Sequence, residues 1–273
     1  MNSRRSPRPS QRMSRHGLTL IELVVVIAIL TILGGLVVQT LPNLMKRTHL
    51  SKCADTITAL NKTWAESLAL HGRYPDSCDS LLESGGTAFS KLTPGLTGLV
   101  TPATLSADEV AALRTLGVRS VVDLNTSAAN VTYDSAPLGL TPRAIDASGK
   151  IAQLATPGST GSTYWTANPL GLKRHVNLPT GVTVKYLIFG IGPNCNGIGA
   201  GKLIQEAPVH FGADDTINPN NIYQRYLAVY SLVTNSSGKV TAYFEAMAGN
   251  DVDGPSSAEA HIRQFHEGQA EGA

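Results

Sequence analysis

The chain has 273 residues, 42% of them hydrophobic, 15% charged and 5% aromatic, with a formal net charge of +2. At roughly 150 residues per domain this length holds one or two domains with a core of ordinary size, and so small a net charge does not by itself point to nucleic acid. Three cysteines, Cys53, Cys78 and Cys195, with no CxxC and no Cys/His pairs at zinc-finger spacing, argue against a structural zinc site; the composition also excludes collagen, coiled-coil, disulfide-dense and wholly disordered chains.

The charge is unevenly placed. Residues 1–16 carry Arg4, Arg5, Arg8, Arg12, Arg15 and His16 without a single acid, and removing them takes the formal charge from +2 to about −3. This Ser-, Pro- and Arg-rich stretch has no apolar periodicity and reads as a cytoplasmic leader over 1–17.

An apolar run follows. From Leu18 to Leu41 the only charge is Glu22, and at about 1.5 Å per residue the run is long enough for a hydrocarbon core of about 30 Å. It predicts one transmembrane helix over 18–42. The upstream arginines outnumber Lys46, Arg47 and Lys52 on the far side, which keeps the N-terminus in the cytoplasm. No small-x-small cleavage site follows the run, so a secretory signal peptide fits poorly. A plain signal anchor leaves Glu22 unexplained: a carboxylate in a span costs a few kcal/mol unless it is interfacial or partnered, and the helix dipole returns at most about 1 kcal/mol of that.

Gly17-Leu18-Thr19-Leu20-Ile21-Glu22-Leu23 resembles the class III signal of the type IV pilin and type II secretion pseudopilin superfamily. Shared features are a basic leader, Gly at the cut, an apolar residue next, Glu five positions past the Gly, and a long apolar helix. Leu18 stands where the family most often has Phe. The resemblance implies cleavage after Gly17 by a prepilin peptidase and a free, usually N-methylated amine on Leu18. It implies that Glu22 pairs with the N-terminus of a neighbouring subunit, an attraction much stronger among apolar helices than in water. It also implies a single-pass protein of a bacterial inner membrane, head periplasmic or extracellular, whose partners are like subunits and an assembly platform rather than nucleic acid.

Beyond Pro42 the apolar or small positions Leu50, Cys53, Ala54, Ile57, Leu60, Trp64 and Leu68 recur at steps of three and four, the signature of one helix face. They predict an amphipathic continuation over 43–72 that stops at Gly72, before Pro75. Gly34-Gly35 and Pro42 are the expected bend or melt points. Ser106-Ala-Asp-Glu109 predicts a capping box and a short helix to Leu116, and Val118–Leu124 a strand. Residues 134–181 read as loop, 182–189 as a strand, and 225–233 with 239–246 as a hairpin across Thr234–Gly238. The expected fold is α+β and pilin-like, a long N-terminal helix packed on an antiparallel β-rich head over 73–249. A polar tail over 250–273 carries a short helix near Ala258–Phe265.

No catalytic motif is complete in this sequence. The FGIGPNCNGIGAGK stretch ending at Lys202 lacks the glycine and hydroxyl that a Walker loop needs, having Asn196 and Leu203 there, and Cys195 breaks the dinucleotide pattern. It reads as a flexible exposed loop. Cys195 with His175 or His210 has no thiol-protease signature. Outside the cytoplasm a disulfide is the better use of cysteine, and Cys53–Cys78 and Cys78–Cys195 both remain open. No cofactor is expected, with one reservation. Some secretion pseudopilins hold calcium near the C-terminus, so the resemblance makes Asp251 and Asp253 calcium candidates, with Asp214-Asp215 elsewhere. An EF-hand is excluded, since Ile262 stands where it needs Glu. His261 and His266 are expected to be exposed. The function expected from the resemblance is a structural subunit of a secretion pseudopilus. The rivals are a minor type IV pilin for adhesion or DNA uptake and, in another class, a membrane-anchored enzyme or binding protein.

Overall fold

The computed structural model describes residues 19–155, 170–172, 178–210 and 217–270; side chains are described for these except over 36–43 and 268–270. Gly17, Leu18, His175, Asp214 and Asp215 lie outside the described residues. The chain divides into two compact units, Met1–Met45 and Lys46–Ala273.

Helix α1 (Leu20–His71) runs through Gly34-Gly35 and Pro42, neither of which ends it. In the first unit its described side chains are apolar on every face and uncovered: Leu20 is 81% exposed, Ile21 72% and Ile32 65%. A helix apolar all round calls for an apolar surrounding. Two polar residues interrupt the described stretch: Glu22 near its start, and Thr31, which turns its hydroxyl back to donate to the Ile27 carbonyl at 2.8 Å. Among the described residues no helix is long and apolar enough to cross a membrane. The described side chains of this stretch run only from Thr19 to Gly35, fewer than the ~20 a span needs.

In the second unit α1 ends where the sequence predicts. Gly72 takes φ +65, a conformation costly for a Cβ-bearing residue, and its N–H caps the Leu68 carbonyl at 2.9 Å. The head follows in the order β1 (Cys78–Glu83), α2 (Pro94–Thr97), β2 (Val100–Thr104), α3 (Ala107–Thr115), β3 (Ser120–Leu124), α4 (Val131–Asp134), β4 (Arg143–Ala144), β5 (Lys150–Leu154), β6 (Thr183–Gly190), β7 (Leu227–Thr234), β8 (Val240–Asp251), β9 (Gly254–Ser256) and α5 (Ala258–Ala270).

The strands form one sheet ordered β4-β3-β1-β6-β7-β8-β9, with β5 also on β6 and β2 on β5. Every pairing is antiparallel except β1–β3, which is parallel, so the head is mixed. The β7–β8 hairpin is closed by Asn235, whose N–H reaches the Lys239 carbonyl, with Gly238 at φ +83.

Both faces of the central strands are buried. Leu187 and Phe189 of β6 and Ala228, Tyr230 and Leu232 of β7 point to one core with Ile57, Leu60 and Trp64 of α1 and Val110 and Leu113 of α3. The alternate residues Tyr186, Ile188, Leu227 and Val229 point to a second core with Leu81, Leu82, Phe89 and Leu96. Strands covered on both faces read as near-continuous apolar runs, which is why β6 and β7 were legible. Helix α3 opens with the predicted capping box, Ser106 and Glu109 exchanging hydrogen bonds. The same Glu109, only 6% exposed in its side chain, meets Lys185 of β6 at 2.6 Å.

Four expectations are corrected. Residues 134–181 are not all loop: β4 and β5 lie there, and Ile151, Ala152 and Leu154 of β5 are buried. The hairpin's second strand runs to Asp251, well past 246. The stretch after 250 is not only a polar tail: the expected short helix near Ala258–Phe265 is present as α5 and runs to Ala270, and β9 precedes it. The 190–202 segment is pinned rather than exposed. Asn194 donates to the Ala136 and Pro137 carbonyls at 3.0 and 2.9 Å, while Asn196 and Asp76 exchange backbone and side-chain bonds at 2.8 and 2.7 Å.

Candidate functional site

The N-terminal segment opens with Thr19 outside the first turn of α1 and Glu22 three residues on. Glu22 Oε2 accepts from the Thr19 N–H at 2.7 Å and from Thr19 Oγ1 at 2.8 Å; in return the Glu22 N–H donates to Thr19 Oγ1 at 3.3 Å. This is a reciprocal capping box on the orphan donors of a helix start. The sequence reading gave Glu22 a task toward a neighbour and missed this one, although Thr-x-x-Glu before an apolar run is its signal. With a single chain present, the carboxylate is held by its own helix.

The other end of α1 is fixed to the head by Trp64, which the stripe identified, and by Asn61, which lies outside the stripe. Trp64, fully buried, donates its indole N–H to Tyr230 Oη at 3.3 Å, and the Met247 N–H donates to Asn61 Oδ1 at 2.9 Å. An indole buried on one helix face with its N–H partnered is the arrangement that fixes rotation as well as distance.

The three cysteines are buried and none is disulfide-bonded. Of the two pairings left open, Cys78 of β1 faces Cys195, Sγ to Sγ 2.8 Å, while Cys53 sits on α1 beside Tyr226. The Cys195 contact, then burial, pushes the Cys78 thiol well above its ordinary range. Burial pushes Cys53 up to about 11. Neither is an activated nucleophile. Cys195 thus faces Cys78.

The glycines that suggested a phosphate loop have another use. A Cβ on Gly190 would lie 1.9 Å from Tyr223 Oη, and one on Gly192 2.2 Å from the Asp79 carboxylate. They make room for a buried pair in which Tyr223 Oη donates to Asp79 Oδ2 at 2.5 Å. Burial dominates this site, opposed by the tyrosine bond and by Arg225, and raises the Asp79 carboxyl to about 7.

At the far edge of the sheet, Asp251 ends β8, Ser256 lies in β9, His261 is in the first turns of α5 and His210 donates its backbone N–H to the Gln224 carbonyl at 2.9 Å. His210 Nε2 is 3.4 Å from Asp251 Oδ1, and His261 Nε2 is 3.5 Å from Asp251 Oδ2. Ser256 Oγ bonds Asp251 Oδ2 and lies 2.9 Å from His261 Nε2. His261 is 1% exposed, which corrects its expected exposure; His266 is exposed. Burial lowers both imidazoles below their usual value, with Asp251 pulling the other way. Asp253 is exposed in the β8–β9 turn and does not join this group. Asp251 therefore faces two nitrogen donors. Calcium takes six to eight oxygens, and this donor set does not fit it.

A family model described as the prokaryotic N-terminal methylation motif matches residues 12–38. The match covers the end of the basic leader, the Gly17–Glu22 spacing and most of the apolar run. It stops short of the head. No curated protein and no solved structure matches the chain significantly.

Proposed function

We propose, for a chain that its prepilin-type N-terminal motif makes type IV pilin-like, that it is a structural subunit of a type II secretion pseudopilus or a related type IV filament. The observation that carries this reading is the motif at residues 12–38. A peptidase cuts after Gly17 on the cytoplasmic face and leaves the Leu18 amine to be methylated. Residues 18–42 hold the processed chain in the inner membrane as a single pass, with the head outside the cytoplasm. The subunit acts by assembling and catalyses no reaction of its own; peptidase and motor are separate proteins.

The exposed apolar side chains from Leu20 to Leu33 support this role, since they need lipid before assembly and neighbouring helices after it. In the filament Glu22 exchanges its Thr19 partner for the cationic N-terminus of an adjacent subunit. Removing the carboxylate then strands a cation among apolar helices, the costly way to break a buried pair. A pseudopilus is preferred to an adhesive or DNA-uptake pilin because three cysteines allow a single bridge, leaving no dense disulfide loop.

The test compares wild type with Glu22→Ala in a cell that makes the filament, separating sheared filaments from membranes. The variant is expected in the membrane, cut at the same bond and strongly depleted from filaments. Wild-type incorporation of the variant contradicts the proposed pairing.

A further inference from the structure

We propose that His210, Asp251 and His261 form a zinc site at the edge of the head sheet, with the two Nε2 atoms and the Asp251 carboxylate as ligands and water in the fourth position. The site is independent of filament assembly.

The spacing is the first argument. Four-coordinate zinc with bonds of about 2.0–2.1 Å places its ligand atoms about 3.3 Å apart. The nitrogen–oxygen separations are 3.4 and 3.5 Å, and one donor atom from each of the three residues falls within 4.8 Å of the others. These are distances at which an ion bridges the groups with small adjustments.

The second argument is polar accounting. His210 is 0% exposed and its ring nitrogens make no well-aligned hydrogen bond among the described residues, although Nε2 lies 3.4 Å from Asp251 Oδ1 and the Gln224 side chain and the Asn250 backbone adjoin the ring. Buried polar atoms almost always have a well-formed partner, and a metal ion at Nε2 would supply it. The Gln224 side-chain amide, which makes no other hydrogen bond among the described residues, adjoins the His210 ring, where it offers a ligated imidazole the acceptor for its other N–H.

The third argument is the backbone. Gly249 lies on β8 against both imidazoles: a Cβ there would stand 2.7 Å from His210 Nε2 and 2.8 Å from His261 Nε2. Glycine thus lets the two candidate ligand atoms converge on one point. Ser256 Oγ, bonded to Asp251 Oδ2, orients the carboxylate as outer partners of metal ligands do, and its 2.9 Å contact with His261 Nε2 would give way to the ion. Asp251 keeps 20% of its side chain exposed, which supplies the entry path. Two imidazoles and one carboxylate suit zinc better than magnesium or calcium.

The experiment uses the tag-free full-length chain in detergent, stripped of metal and titrated with Zn²⁺ against a chromophoric chelator, with Ca²⁺ in a parallel arm. One Zn²⁺ per chain and no Ca²⁺ uptake are expected. Asp251→Asn and His261→Gln should weaken binding by about 100-fold or more, and Gly249→Ala by about 10–100-fold; circular dichroism checks that each variant is folded. Should every variant unfold, the Co²⁺ spectrum of the wild-type chain decides. Intense tetrahedral d–d bands support the site, and weak octahedral bands or none overturn it. Absence of Zn²⁺ uptake, wild-type affinity in folded ligand variants, or Ca²⁺ uptake at this site also overturns it.

Discussion

Glu22 Oε2 accepts two hydrogen bonds from Thr19, one from its N–H and one from its hydroxyl. The acid that singles out the N-terminal segment thus caps its own helix. Thr19→Ala removes the hydroxyl half of that box and should cost the first turn about 1 kcal/mol. Amide exchange of the solubilised chain reads this as faster exchange confined to the residues after position 19. If protection there is unchanged, the capping box does not matter.

The Asp79–Tyr223 pair carries a pH signature. An unfolded Asp releases its proton near pH 4, while the folded Asp79 keeps it up to about 7. Between those values the folded chain binds the extra proton, so stability falls as pH rises through the window and levels off above it. Asp79→Asn keeps an acceptor for Tyr223 without the charge. It should remove that slope and stabilise the head at pH 8 by a few kcal/mol. Denaturant unfolding at pH 5 and pH 8 measures both effects, and a slope equal in wild type and variant contradicts the assignment.

The Cys78–Cys195 contact predicts oxidation outside the cytoplasm. Chain taken from the periplasmic face should give a Cys78–Cys195 linked peptide on non-reducing mass analysis, with Cys53 absent from it. Closing so long a loop stabilises by roughly 2–5 kcal/mol, so reduction should lower the unfolding midpoint. A Cys53–Cys78 peptide instead would contradict the geometry.

Trp64 seals the helix to the sheet. Trp64→Ala should cost about 3–5 kcal/mol, and Trp64→Phe much less, since it keeps most of the volume and loses the bond to Tyr230. Thermal unfolding separates the two, and equal losses would show that the hydrogen bond, not the packing, dominates.

What could be read in advance follows from where the physical signal is local. The apolar run, the Trp64 stripe, Gly72 and the Ser106–Glu109 box are each set within a few residues, and β6 and β7 announce themselves by burial on both faces. Strand β1 hides because its buried positions include Asp79 and Ser80, whose partners Tyr223 and Asp123 are distant in sequence. The same reason conceals the histidine cluster. Its members come from positions 210, 251 and 261, and His261 looked like part of a polar tail because its partners, Asp251 at the end of β8 and Ser256 in β9, lie in strands the sequence reading did not extend or place. The one local hint was Gly249 beside Asn250 and Asp251, a glycine in a strand that no turn requires.

The most direct test of the account is the intact N-terminal mass of the protein recovered from membranes. It should begin at Leu18 with one added methyl group. A chain that still starts at Met1, or one cut after residue 35, would contradict it.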